Sequence, residues 1–160
     1  MESRIKIAVD AMGGDYAPEE IVKGSIEAAK SLNVEIILVG TKEDIEAELA
    51  KIDAAQLPVS IKEATDIIKD GEEPAFAVMR KPNSSVALAA RMVKDSEVDA
   101  MVSAGSTGAV MVAGLQYVGA LPGIERPMAG GAFVQLAPNT VVLDLGANVG
   151  CQPYHLVDFA

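Results

Sequence analysis

The sequence predicts an α/β fold: a Rossmann-like, doubly wound and mostly parallel sheet with helices on both faces. Three observations carry that expectation. Short apolar runs of strand type alternate with helical periodicity along most of the 160 residues, the order that builds βαβ units with right-handed crossovers. Glycine-rich turns at Gly13, Gly105 and Gly146 each follow a strand-like run. Half the residues are hydrophobic but only 4% are aromatic, so the core must be Ala, Val, Ile, Leu and Met, which suits a parallel sheet buried under helices. The length fits one domain, residues 1–160.

The elements follow in order. Arg4–Asp10, RIKIAVD, alternates and then runs apolar, so it reads as the first strand, with Gly13-Gly14-Asp15 as its turn. Pro18 fits the first turn of a helix, where its missing N–H costs little. Val22, Ile26 and Ala29 then share one helical face. Glu35–Gly40, EIILVG, is a second strand. Thr41 and Asp44 spell a capping box for a helix that turns Ile45, Leu49 and Ile52 inward. Pro58–Ala64 is a third strand.

Thr65–Lys81 is broken by Gly71 and Pro74 and made acidic by Asp66, Asp70, Glu72 and Glu73. It reads as a solvated connector with room for a short helix. Arg80-Lys81-Pro82-Asn83-Ser84-Ser85 places two cations before a capped helix whose inner face is Val86, Ala89, Ala90 and Val93. Ala100–Val102 is the next strand, and Ser103-Ala104-Gly105-Ser106-Thr107-Gly108 its turn. The helix after it, Ala109–Val118, is apolar on nearly all sides and is expected to be buried. Leu121–Arg126 is a turn, Gly130–Leu136 a further strand and Thr140–Leu145 a strand of strong β type. Gly146-Ala147-Asn148-Val149-Gly150 is its turn, and Pro153 begins the last helix.

Net charge is −10, which speaks against nucleic acid, since that needs a basic face, and against electrostatic adhesion to anionic lipid. The lone Cys151 leaves no intramolecular disulfide and fits a reducing compartment. Met1–Lys6 leads straight into a strand, so no signal peptide is expected. The longest apolar run, Gly108–Leu121, is too short to span a bilayer and holds Gln116. A cytoplasmic location is the expectation.

A strand, a glycine turn and a helix in that order make an anion site, because the first amides of a helix are unpaired and point beyond the strand end. Gly105–Gly108 and Gly146–Asn148 offer backbone N–H groups of this kind. Ser103, Ser106, Thr107 and Asn148 add side-chain donors. The same turns also read as tight packing turns and nothing more. In doubly wound sheets ligands bind beyond the strand ends at a switch point, so neighbouring strands would bring the turns at Gly13, Gly105 and Gly146 to one crevice. Asp10 and Asp15 would repel an anion directly. Each either orients a donor or a lysine, or caps its own turn. Arg80, Lys81 and Arg126 are candidate cations for an anion, or ordinary exposed charges. His155, the only histidine, and Cys151 are read first as structural residues, ahead of a general base and a nucleophile.

Four of these segments have specific spellings. Val9-Asp10-Ala11-Met12-Gly13-Gly14-Asp15 followed by Pro18, then Val102-Ser103-Ala104-Gly105-Ser106-Thr107-Gly108-Ala109, then Gly123-Ile124-Glu125-Arg126-Pro127, then Leu143-Asp144-Leu145-Gly146-Ala147-Asn148 resemble the ordered motifs of the PlsX family, the phosphate acyltransferases of bacterial phospholipid synthesis. The resemblance implies a fold like those of isopropylmalate dehydrogenase and phosphotransacetylase. It implies a reaction in which inorganic phosphate attacks the thioester of an acyl-acyl carrier protein, giving acyl phosphate and free carrier protein, with no cofactor and no metal. It further implies a cytoplasmic homodimer, peripheral at the membrane, that supplies a membrane glycerol-phosphate acyltransferase. On the family motifs, Asp10, Gly13, Gly14, Asp15, Ser103, Gly105, Ser106, Thr107, Gly108 and Asn148 would bind substrate or phosphate. Arg80, Lys81 and Arg126 would meet phosphate or the acidic carrier.

The chain departs from the family at Ser106, where Asn is usual, at Gly150, where Asp is usual, at Gln152 and Tyr154, and along Met128–Pro138. Family members also continue well past Ala160, so the chain resembles their N-terminal half and reads as truncated. Two other functions stay open. One is a nicotinamide-dependent dehydrogenase, weakened because Gly13-Gly14 lacks the G-x-G-x-x-G spacing. The other is a non-catalytic piece of the acyltransferase.

Overall fold

A computed structural model describes residues 4–69, 71–132, 139–145, 148 and 150–160. They fall into two compact units, Met1–Val118 and Gly119–Ala160. The first unit is built on four parallel strands: β1 (Ile5–Asp10), β2 (Val34–Gly40), β3 (Val59–Glu63) and β4 (Ala100–Ser103), in the order β3-β2-β1-β4. Helices cover both faces, so residues of both parities along β1 and β2 are apolar. On one face Val9, Ile36 and Leu38 meet Val22, Ile26 and Ala29 of α1 (Glu19–Ser31) and Ile45 of α2 (Lys42–Leu49). On the other, Ala8 and Val39 meet Ala89 and Met92 of α4 (Ser85–Lys94). Ile26, Leu38 and Ile45 are completely enclosed, and each such side chain contributes about 1.5–3 kcal/mol by leaving water.

α3 (Pro74–Arg80) and α5 (Thr107–Ala113) extend the second face, joining Val78, Ala109 and Ala113 to Val86 and Ala90 of α4. Their starts touch: a methyl added at Gly108 would lie 2.8 Å from Pro74 Cγ.

Three local expectations fail here. Thr41 stands at the N-cap of α2 but makes no side-chain cap bond. Pro74 does not break the acidic connector; it opens α3, because Glu73 caps the amides of Ala75 and Phe76. The helix after β4 is not buried throughout. α5 buries Ala109 and Ala113, then widens into a π-helical turn at Gly114–Val118 that leaves Leu115 and Val118 exposed.

In the second unit, β5 (Gly131–Ala132) pairs antiparallel with β6 (Val141–Val142), and α6 (Pro153–Phe159) begins at its proline as expected. The Thr140–Leu145 segment is therefore a two-residue antiparallel strand, not a fifth member of the parallel sheet. Residues 133–136 of the expected Gly130–Leu136 strand lie outside the described residues.

Candidate functional site

The chain leaves β1 toward β2 on one side and returns from β3 to β4 on the other. This reversal puts a switch point between β1 and β4, where doubly wound sheets bind ligands. A crevice of ≈ 370 Å³ opens at that point.

Parallel register sets Asp10 beside Ser103 at the ends of β1 and β4. Ser103 Oγ donates to Asp10 Oδ2 at 2.7 Å, and the amide of Gly105 donates to Ser103 Oγ at 3.1 Å. Asp10 Oδ1 accepts from the amide of Met12 at 3.2 Å, two residues on, as short acidic side chains do in turns. The buried Asp10 carboxylate thus ties the two turns together with charge-assisted bonds. Both readings of Asp10 are realised: it caps its own turn and it orients a neighbouring hydroxyl.

The tie needs glycine at position 13. A methyl there would sit 2.5 Å from Asp10 Oδ2, 2.9 Å from Ser103 Oγ and 3.0 Å from the amide of Gly105. Gly14 approaches Ala104 in the same way, its added methyl lying 3.1 Å from the Ala104 carbonyl oxygen. Gly13 and Gly105 therefore converge, as expected. Gly146 and Ala147 of the third turn lie outside the described residues.

Of the residues singled out in the sequence, Asp10, Gly13, Gly14, Asp15, Ser103, Gly105 and Ser106 line the crevice. Ser106 is the N-cap of α5 and accepts from the amide of Ala109 at 3.4 Å. Thr107 and Gly108 follow it, and their amides make no hydrogen bond among the described residues, as at any helix start. Ser85, Val86, Ile67, Ile68 and Lys69 complete the walls. Ser85 and Val86 read in the sequence only as the start and inner face of a helix, and Ile67, Ile68 and Lys69 carry no signal of their own, because they arrive by tertiary packing.

Of the candidate cations in the first unit, neither Arg80 nor Lys81 lines the crevice. Lys81 Nζ pairs with Glu72 at 2.6 Å and donates to the Ile67 carbonyl at 2.9 Å. The hydrogen bond from Lys81, and then the Lys69 amide, hold the Glu72 carboxyl below its ordinary value. Arg80 lays its guanidinium 5.7 Å from the centre of the Phe76 ring. In the second unit Arg126 borders a largely apolar hollow with Leu121 and Phe159.

Asn148 and His155, also in the second unit, make local bonds. Asn148 Nδ2 donates to the Pro127 carbonyl at 2.9 Å and to Asp144 Oδ1 at 3.0 Å. His155 Nδ1 accepts from the amide of Gln152 at 3.0 Å and so caps α6. Its Nε2 is buried and 3.6 Å from Glu125 Oε2. The Glu125 carboxylate beside Tyr154 raises that phenol above its ordinary value. Cys151 Sγ donates weakly to Asp144 Oδ2 at 3.9 Å. Among the described residues no three His, Cys, Asp or Glu side chains gather as a metal site. No helix among them is long and apolar enough to cross a membrane.

Fold and crevice together define a doubly wound α/β protein with a small crevice at its switch point. The fold matches the crystal structure of a phosphotransacetylase from Streptococcus pyogenes with a TM-score of 0.68 over 98% of this chain and 51% of that one, at 18% sequence identity. The family model described as "Fatty acid synthesis protein" matches residues 5–160, and the chain belongs to that family. Similar proteins named phosphate acyltransferase include one from Pelotomaculum thermopropionicum, 52% identical over 97% of this chain and 45% of the relative. Another, from Trichodesmium erythraeum, is 45% identical over 97% of this chain and 46% of the relative. The chain thus spans a little under half the length of these relatives.

Proposed function

We propose that this chain forms the phosphate-binding part of an acyltransferase that makes acyl phosphate from an acyl-acyl carrier protein and inorganic phosphate, for phospholipid synthesis. One observation carries the reading: two donor-rich turns, after β1 and β4, close on one small crevice at the switch point. In this reading the free amides at the start of α5 and the hydroxyls of Ser85 and Ser106 hold the phosphate, while Ser103, bonded to Asp10, fixes the turn that presents them. A phosphate oxygen attacks the thioester carbonyl carbon, the C–S bond breaks, and the carrier thiolate leaves and takes up a proton. Phosphate is already a nucleophile at neutral pH, so the protein's part is to position it and to meet the developing oxyanion with fixed donors. The apolar wall of Ile68, Val86 and Val110 suits the first carbons of an acyl group. The whole enzyme would act as a cytoplasmic homodimer at the membrane surface and pass its product to a membrane glycerol-phosphate acyltransferase. Arg80 on α3 would be a contact for the acidic carrier.

The test replaces the matching segment of the Pelotomaculum relative with this chain. The chimera is supplied with acyl-acyl carrier protein and phosphate, and acyl phosphate is trapped with hydroxylamine. Phosphate-dependent hydroxamate and free carrier thiol in equal amounts are expected. A chimera that forms neither, while the relative forms both, overturns the reading.

A further inference from the structure

The crevice has an unfavourable charge balance for an anion. Asp10 and Asp15 line it, and Lys69 is the one cation among the described residues that do. Asp10 has both oxygens occupied, but Asp15 is exposed. A doubly charged anion entering here meets two carboxylates. Neutral hydroxyls and amides offset part of that repulsion, and a fixed positive charge is needed to reverse its sign.

Lys69 sits in no regular element; a staple shapes its segment. Glu72 Oε1 accepts the Lys69 amide at 2.7 Å. Lys81 Nζ donates to both Glu72 oxygens, at 2.6 and 2.7 Å, and to the Ile67 carbonyl at 2.9 Å. One ion pair therefore ties Ile67 and Lys69, and these two together with Ile68 form one wall of the crevice. The Lys69 side chain itself joins no ion pair among the described residues. One of the three cations that the sequence offers for an anion, Lys81, instead fixes the loop that presents a different one.

We propose that Lys69 is the anion-recognising cation of the crevice and that the Glu72–Lys81 ion pair is the positioning device that holds it there. This rests on reading the crevice as a phosphate site, and it adds the residue that makes the site attractive to phosphate.

The experiment titrates inorganic phosphate into the 160-residue chain by calorimetry at constant ionic strength, for the unaltered protein, Lys69→Ala, Lys69→Arg, Glu72→Gln and the Lys69→Ala/Glu72→Gln pair. Lys69→Ala should weaken phosphate about tenfold, the scale of one charge-assisted hydrogen bond. Lys69→Arg should stay within about threefold, since the charge is kept. Glu72→Gln should weaken binding several-fold, and the double variant should bind no worse than Lys69→Ala, because a positioning effect acts only through Lys69. Equal phosphate affinity with and without the Lys69 ammonium overturns the proposal and leaves the functional reading standing. Unchanged affinity in Glu72→Gln, with only a lower melting temperature, overturns the positioning half. An unaltered chain that takes up no phosphate overturns the whole proposal, while the functional reading is judged by the hydroxylamine trap.

Discussion

The two units obey the same sequence rules with different results. In the first, VEIILVG is apolar on both parities and RIKIAVD is so over Ile7–Val9, and each finds a strand on either side and helices above and below. In the second, TVVLDL is at least as strongly β-forming, yet only Val141–Val142 pair, with a single antiparallel partner. Leu38 of the first unit is fully buried, whereas Leu145 of the second is 54% exposed. A β-prone segment does not make its own environment: β propensity measures fit to a half-buried pleated surface, and that surface must be supplied by neighbours. The chain spans under half the length of its relatives, so the contrast marks which apolar segments are satisfied within these 160 residues and which are not.

The sharpest way to break this contrast is to truncate one leucine from each unit. Leu38→Ala should cost about 3 kcal/mol, the usual cost of emptying an enclosed leucine site. Leu145→Ala should cost less than about 0.5 kcal/mol, as exposed substitutions do. Urea denaturation followed by circular dichroism measures both. Equal losses would mean that Leu145 is covered in solution, and the two units would no longer differ in the way described.

A second pair compares the turns. Gly13 is required because neighbours crowd it, whereas Gly123 has open space around it but a φ of +87°. Gly13→Ala should destabilise by about 2 kcal/mol through overpacking and also abolish phosphate uptake, because it pushes apart the Asp10–Ser103–Gly105 tie. Gly123→Ala should cost about 1 kcal/mol of backbone strain alone, and Gly123→Asn less, since Asn tolerates the left-handed region better. Thermal melts with and without phosphate separate the two mechanisms. A Gly13→Ala protein that still binds phosphate would show that the two turns do not need to touch.

Most of the first unit was legible because its signals are local. Val22, Ile26 and Ala29 fall on one helical face and are all buried in α1, and the run before each turn became a strand in register with its neighbour. The convergence of Gly13 on Gly105 was legible only through the topology rule, since no local signal links residues so distant in sequence. The failures have equally physical causes. Thr41 has the right type and spacing for a cap but makes no cap bond. Pro74 reads as a breaker because the Glu73 cap that turns it into a helix start depends on one side-chain rotamer. Apolarity alone points to a buried helix over Ala109–Val118, but apolarity does not say whether a partner is present for Leu115 and Val118. Ile67, Ile68 and Lys69 have no distinguishing signal inside an acidic connector, since the Lys81 bonds to Glu72 and Ile67 shape the loop that lines the crevice.

That staple gives the smallest effect, and it sharpens the same contrast by singling out one loop of the first unit. Glu72 is held below its ordinary value, first by the side-chain bond from Lys81 and then by the Lys69 amide. A carboxyl whose value is depressed on folding stabilises the fold at pH above its unfolded value, and that contribution is lost as pH falls through the folded value. Glu72→Gln removes the charge at every pH. The difference in melting temperature between the unaltered protein and Glu72→Gln should therefore be constant at neutral pH and shrink in acid, as pH falls through the lowered folded-state value. Raising salt should shrink it at neutral pH as well, because the pair is partly open to solvent. A difference that stays constant into acid would mean that the Glu72 charge contributes nothing, and that shape alone keeps Ile67–Lys69 against the crevice.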